Sequence, residues 1–459
     1  MSAVVIHPVD GSLHGEVRVP RSKPHMQRAI VLSLLTNAPS TIVNPAWSSE
    51  SQGLYHAAQR FGMEVGNEDE AWVVITGAGR SLSKPEAPLW AAGSAFNFRT
   101  LVALACLVPA ETVIEGNSSL RARPVIEYLN FVRDLGAWME DISDKDHLRA
   151  RVRGCRRLGG ETIIDAQHSS QALTAALLIA PLAGSPVRIH CESSDLVAEG
   201  YIDLTLDMMR DQGAVVTRTG SSFVVDPSVY RSRLHVIPSD FTALSYLAGV
   251  VAAAREAQII VADYQPSSLS SEKDFVAILQ MLGIRTTYDP ATHSLRIQRT
   301  TPQASSIEID GRNIPTVVPA LAAIVPFVEA EITVRNVAHV NNHKCPRVAV
   351  MVRELNRMGF QITPVYRGDG AVDGFSTFGR QRPAGGVAVD SHGDHRIFMS
   401  LVTAAFGAKS PTRIDGAQHL RAGFPDYLNV LTRISARWEP AHSGGEPISR
   451  LPQSVTGMR

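Results

Sequence analysis

A chain of 459 residues exceeds what one hydrophobic core usually organises, so two domains are expected. The 44 lysines and arginines balance 44 aspartates and glutamates, which excludes a global field for nucleic acid or an anionic membrane and leaves anion binding to local clusters. Cys106, Cys155, Cys191 and Cys345 have neither zinc-ligand spacing nor a disulfide pattern; with no signal-peptide profile at the N-terminus, a cytoplasmic location is expected.

In chain order, the first candidate site is VRVPRSKPHMQRAIVLSLL. Ser22 suits a helix N-cap and Pro24 the first turn, and apolar residues continue from Ala29. Lys23 and Arg28 then flank a helix N-terminus, whose free N–H groups favour an anion. Ordinary solvated charges at a helix start are an equal reading. The loop GSAFNFRT contributes Phe96 and Arg99, and RARPVIEYL sets Arg123 before an expected apolar helix. In DAQHSSQALTAALLIAPL, Ser169, Ser170 and Gln171 stand where a strand gives way to an apolar helix. Two hydroxyls beside free helix N–H groups suit a phosphate, although taken singly the motif reads more readily as an N-cap with a spare serine. The apolar run Ser170 to Leu182 is too short to span a bilayer and reads as a buried helix. Arg347 in HKCPRVAV and Arg396 in GDHRIFMS complete a set of arginines suited to planar capture of carboxylate or phosphate. From Trp438 to Arg459 the chain is rich in Pro, Gly and Ser and is expected to be a flexible tail.

One pattern recurs between these sites: an amphipathic helix, then glycine, then a short alternating strand. It appears as AAQRFGMEV, FVRDLGAWME, DMMRDQGAVV, AILQMLGIRTT and ELNRMGFQIT. Gly62, Gly136, Gly213, Gly283 and Gly359 are separated by 74, 77, 70 and 76 residues. Glycine at the helix end is the residue that most easily takes the left-handed C′ conformation. A sixth copy is expected to end near residue 434, where PDYLNVLTRISA has no glycine. Six α/β units of several strands and two helices follow, three to a domain.

The motifs SKPHMQRA, RARP, SSQ, YIDLTLDMM, DHR and FPDYL, in this order and spacing, resemble the enolpyruvyl transferase family in its shikimate branch, the 5-enolpyruvylshikimate-3-phosphate synthases. The likeness runs from Val5 to about Ile434. It implies a two-domain, inside-out α/β barrel of six βαβαββ units, with a discontinuous domain 1–20 plus 238–437, a second domain 21–237, and crossovers near Val19 to Arg21 and His235 to Ser239. The reaction implied moves the enolpyruvyl group of phosphoenolpyruvate to a hydroxyl of shikimate 3-phosphate, in aromatic amino acid biosynthesis, by a monomer using no metal or organic cofactor. Carried over by motif, Lys23, Arg28, Ser169, Ser170, Gln171, Tyr201, Thr316, His339 and His343 would face the shikimate phosphate. Arg123, Gln171, Arg347, Arg396 and Arg421 would face phosphoenolpyruvate, and Lys23, His343 and Lys344 would carry catalysis.

The departures from the family have a direction. Thr316 stands where the family has an acid–base aspartate, and His343–Lys344 replaces a Lys–Glu pair. Pro24, Ala198 and Ala422 replace two serines and a lysine, with Arg421 beside the last, and Phe96 borders the phosphoenolpyruvate pocket. Anion-binding groups are kept while proton-moving carboxylates are lost, at about 10²–10⁴ in rate for each. His343 reads either as a replacement proton carrier or as a neutral hydrogen-bonding substitute. Two alternatives stay open beside transfer: a lyase of specialised metabolism eliminating phosphate or water from a shikimate-type substrate, and a non-catalytic ligand-binding homologue.

Overall fold

The computed structural model describes residues 1–9, 11–267 and 269–441. Its strands form six four-stranded sheets, each packed on helices, with no closed barrel among them. One unit shows the plan. Strands Gly160–Ile164 and Val187–Cys191 run parallel on either side of helix Gln171–Ile179. Helix Glu199–Asp211 then leads to the antiparallel hairpin Val215–Thr219 and Ser222–Asp226, whose second strand returns to Val187–Cys191. The order βαβαββ recurs from Ser306 to Phe378.

Buried apolar side chains fall into two clusters. One draws mainly on residues 26–237, the other on Val4 to Val17 and on residues 241–436. The N-terminal strands therefore belong to the later core. Ala3–Ile6 pairs with Thr412–Asp415, and Leu13–Val17 lies parallel to Ala257–Val261. The chain crosses between the cores twice, side by side: Arg21 and Ser239 form an isolated antiparallel bridge, Ser22 N–H donates to the Pro238 carbonyl at 2.8 Å, and Asp240 N–H donates to the Pro20 carbonyl at 2.8 Å. Arg21 locks the crossing by binding the Asp263 carboxylate and carbonyl.

All five repeat glycines have positive φ, between +75° and +100°. In the sixth unit, helix Tyr427–Arg433 is followed by Ser435 at φ +64°, so a serine takes the left-handed turn that glycine takes elsewhere. Two expectations are corrected. Trp438–Pro440, assigned to the tail, is an edge strand against Val4–Ile6, and 442–459 lie outside the described residues. RARPVIEYL is not a helix: Arg121 ends the one-turn helix Ser118–Arg121, Arg123 is held out of the helical region by Pro124, and the next helix is the short Phe131–Asp134. Among the described residues no helix is long and apolar enough to cross a membrane.

Candidate active site

Between the two cores lies a cavity of about 170 Å³ into which both walls send charge. Lys23, Arg28 and Arg123 come from one side; Lys344, Arg347 and Arg396 come from the other, and Glu50 is the carboxylate on its lining. Of the residues expected at the site, all but Arg99 and Arg421 line this space. Arg421 is exposed on the 3-10 turn Ala417–Ala422, and what reaches the site from that turn is the Ala422 carbonyl, 3.4 Å from Lys23 Nζ.

The first wall is held by its own backbone. Helix Lys23–Leu34 starts at Ser22 with Pro24 in its first turn, although the Ser22 hydroxyl bonds His25 Nδ1 at 2.7 Å rather than capping the helix. Arg28, 3% exposed, donates to Thr205 Oγ1 (2.8 Å) and to the carbonyls of Pro24 (3.0 Å) and Tyr201 (3.1 Å). Its guanidinium also sits 5.3 Å from the Phe96 ring centroid and 6.0 Å from that of Tyr201. Burial lowers its pKa to about 10, which leaves it charged. Arg123 donates to the carbonyls of Ser119 (2.8 Å) and Gly93 (2.7 Å). Ser170 starts helix Gln171–Ile179, and the Ser169 hydroxyl accepts from Gln171 N–H at 3.3 Å. Arg99 does not reach the main cavity. It donates to Gln171 Oε1 at 2.8 Å and so fixes the side-chain amide, whose NH₂ remains for a ligand.

The second wall is built on Asp394, the fully buried N-cap of helix His395–Phe406. One of its carboxylate oxygens accepts from Arg396 N–H and the other from Arg347 Nε, both at 2.8 Å. Burial opposes this carboxylate's charge, but Arg347, His395 and Lys344 together outweigh burial and hold its pKa well below the ordinary range. Thr316 ties three parts together: its hydroxyl is 3.1 Å from Tyr201 OH, and its carbonyl accepts from Arg396 at 2.9 Å. His343 is forced well below its usual pKa by burial, then by Arg347, and His339 falls to about 4, again mainly through burial. Both rings are neutral at pH 7.

Glu50 was not legible as a site residue. In SSESQ it reads as an acidic residue in a helix's first turn, and Ser48 and Ser51 do form a capping box there. Its partners appear only in three dimensions: Lys23 Nζ at 2.8 Å and, 294 positions away, Lys344 Nζ at 3.3 Å. Burial alone would raise this carboxyl's pKa; the two ammonium groups more than reverse that and keep it ionised. Lys23 is lowered by burial against the pull of Glu50. Glu50 thus sets one carboxylate against a lysine from each side of the cleft.

A crystallised EPSP synthase from Acinetobacter baumannii superposes with a TM-score of 0.79 at 20% identity, over 96% of this chain and 99% of that one. The enolpyruvyl transferase NikO from Streptomyces tendae gives 0.72 at 16% identity, over 95% and 98%. The fold is therefore that of the enolpyruvyl transferases. The model of the EPSP synthase (3-phosphoshikimate 1-carboxyvinyltransferase) family matches residues 9–431. A 3-phosphoshikimate 1-carboxyvinyltransferase of Methanothrix thermoacetophila is 30% identical over 93% of this chain and 97% of its own, and one of Methanothermobacter thermautotrophicus is 29% identical over the same shares. The chain belongs to the EPSP synthase family of transferases.

Proposed function

We propose that the protein transfers the carboxyvinyl group of phosphoenolpyruvate to a hydroxyl of a shikimate-3-phosphate-like acid, as the matched family name describes. The observation that carries this reading is six cations converging with Ser169, Ser170 and Gln171 on one enclosed space, which suits two anionic substrates held together. Arg123, Arg347 and Arg396 take phosphoenolpyruvate; Arg28 takes the ring carboxylate beside Tyr201; Ser169, Ser170, His339 and His343 take the ring phosphate. The acceptor oxygen bonds to C2 of phosphoenolpyruvate as C3 gains a proton, giving a tetrahedral intermediate. Loss of phosphate from C2 and of a proton from C3 then leaves the enol ether.

Thr316 has no usable basicity for these proton transfers. Lys23 is the proton carrier in this reading, because burial lowers its pKa and Glu50 orients its ammonium group. Segments 1–20 with 238–437 and 21–237 act as the two bodies closing on the substrates, a division supported by the two apolar clusters and the paired crossovers. The reading includes a monomer in the cytoplasm, in line with four unpaired thiols. The test is incubation with shikimate 3-phosphate, with and without phosphoenolpyruvate, following phosphate and product mass. Carboxyvinyl product only when both are present is expected. A diene acid from shikimate 3-phosphate alone would replace transfer with elimination, and no product would refute both.

A further inference from the structure

At the end of the cavity formed by Ser169, Ser170, His339 and His343, the protein offers hydrogen-bonding groups without partners. Among the described residues neither the His343 ring nor the Ser170 hydroxyl has a hydrogen bond within the chain, and the buried His339 Nε2 also has none. Several donors of the nearby cations are already engaged. Arg347 Nε is bound to Asp394, Arg123 holds two carbonyls, Arg99 holds Gln171 and the Pro124 carbonyl, and Arg312 faces Asp195 at 3.2 Å. A phosphate monoester is a dianion above about pH 6. Enclosing it against two neutral imidazoles leaves charge poorly compensated, whereas a proton taken up by one ring converts an acceptor-or-donor nitrogen into a cationic donor.

We propose that this end of the site binds the ring phosphate of the acceptor together with one proton, carried on His343, so that acceptor binding is proton-coupled. The inference rests on the reading of this region as a phosphate subsite. His343 is chosen because it lines this part of the cleft without a hydrogen-bond partner, whereas His339 also lines a neighbouring cavity, and because Asp394 as well as Arg347, Arg123 and His339 are among the charges acting on it. His339 is surrounded instead by Asp373, Arg312, Asp310 and His168, the last already paired with Asp165 at 3.0 Å. The sign follows from linkage. Free His343 is neutral near pH 7, and the dianion raises its pKa, so a proton is taken up throughout the window between its free and bound values. Within that window affinity falls about tenfold for each unit of rising pH.

The experiment is calorimetric titration of the full-length protein with shikimate 3-phosphate at pH 7.5, in two buffers of different ionisation heat, repeated from pH 7 to 8. The wild type is expected to take up close to one proton. His343→Arg, whose guanidinium stays charged even when buried, is expected to bind with no uptake and a flat pH profile. His343→Gln is expected to bind more weakly, also without uptake. Circular dichroism of both variants establishes that they are folded. Binding by the wild type without proton uptake overturns the proposal, as does undiminished uptake in His343→Gln, which would put the proton on the phosphate or on His339. Failure of shikimate 3-phosphate to bind while unphosphorylated shikimate binds would overturn the phosphate subsite itself, and with it the acceptor assigned above.

Discussion

The two walls of the cleft hold their charges in different ways. On the wall carrying Arg28 and Arg123, guanidinium groups are fixed by backbone carbonyls and by a hydroxyl, so their positions cost the protein no buried anion. On the other wall the Arg347 guanidinium is held by Asp394, which has no exposure at all, while that of Arg396 rests on the Thr316 carbonyl. Thr316, His343 and Lys344, which the sequence resemblance marks as acid–base departures, all lie on the second wall. Glu50, from the first wall, sets a carboxylate against Lys344 of the second.

The sharpest way to break this contrast is to remove Arg347. Arg347→Ala is expected to cost about 3–5 kcal/mol in urea unfolding, because it strands a buried carboxylate. Arg123→Ala, which frees only carbonyls, should cost less than half of that. Equal costs would mean that the walls are not differently built. Next in size, Thr316→Asp should raise the rate of phosphate release from phosphoenolpyruvate by about 10²-fold, the low end of what a positioned acid–base group supplies. A rate unchanged by the new carboxylate would place the proton transfers entirely on Lys23.

Glu50→Gln tests the link across the cleft. Its carboxyl has a depressed folded pKa, so its stabilisation is present above the unfolded value of about 4.3 and is lost as pH falls through the folded one. The variant should be about 1–3 kcal/mol less stable at pH 7, and the gap should narrow only in strong acid. A gap that is constant down to pH 2 would show that the ion pairs with Lys23 and Lys344 contribute nothing net. The smallest effect is expected far from the site. Ser435→Gly should stabilise by about 0.5–1 kcal/mol in thermal unfolding, since serine there occupies a left-handed turn at φ +64°.

Ser435 also shows what kind of information the sequence carries. The repeat was legible because a left-handed helix end selects glycine, and five glycines at near-constant spacing mark five such ends. The sixth was visible by position alone, and the structure supplies the missing turn with a residue that tolerates it less well. Site residues on helix starts, such as Lys23, Ser170 and Arg347, were legible because capping chemistry and anion chemistry use the same places. Glu50 was hidden for that reason: an acidic first-turn residue has a local explanation and needs no other. Arg421 misled through adjacency. Beside Ala422 in sequence, it points out of a turn whose backbone carbonyl, not its side chain, touches Lys23. Trp438 was lost in a Pro- and Gly-rich composition, although its Nε1 donates to the Leu428 carbonyl at 2.9 Å and its strand pairs with the N-terminus.

The pairing of Ala3–Ile6 with Thr412–Asp415 and of Leu13–Val17 with Ala257–Val261 has a consequence for synthesis on the ribosome. The first strands to emerge have no partners until more than half of the chain has followed, and for Ala3–Ile6 almost all of it. Residues 26–237 can assemble their own core while those strands wait. The protein is thus made from the middle outward, with its beginning folded last, and a truncation near the C-terminus would leave the N-terminal strand as an open edge.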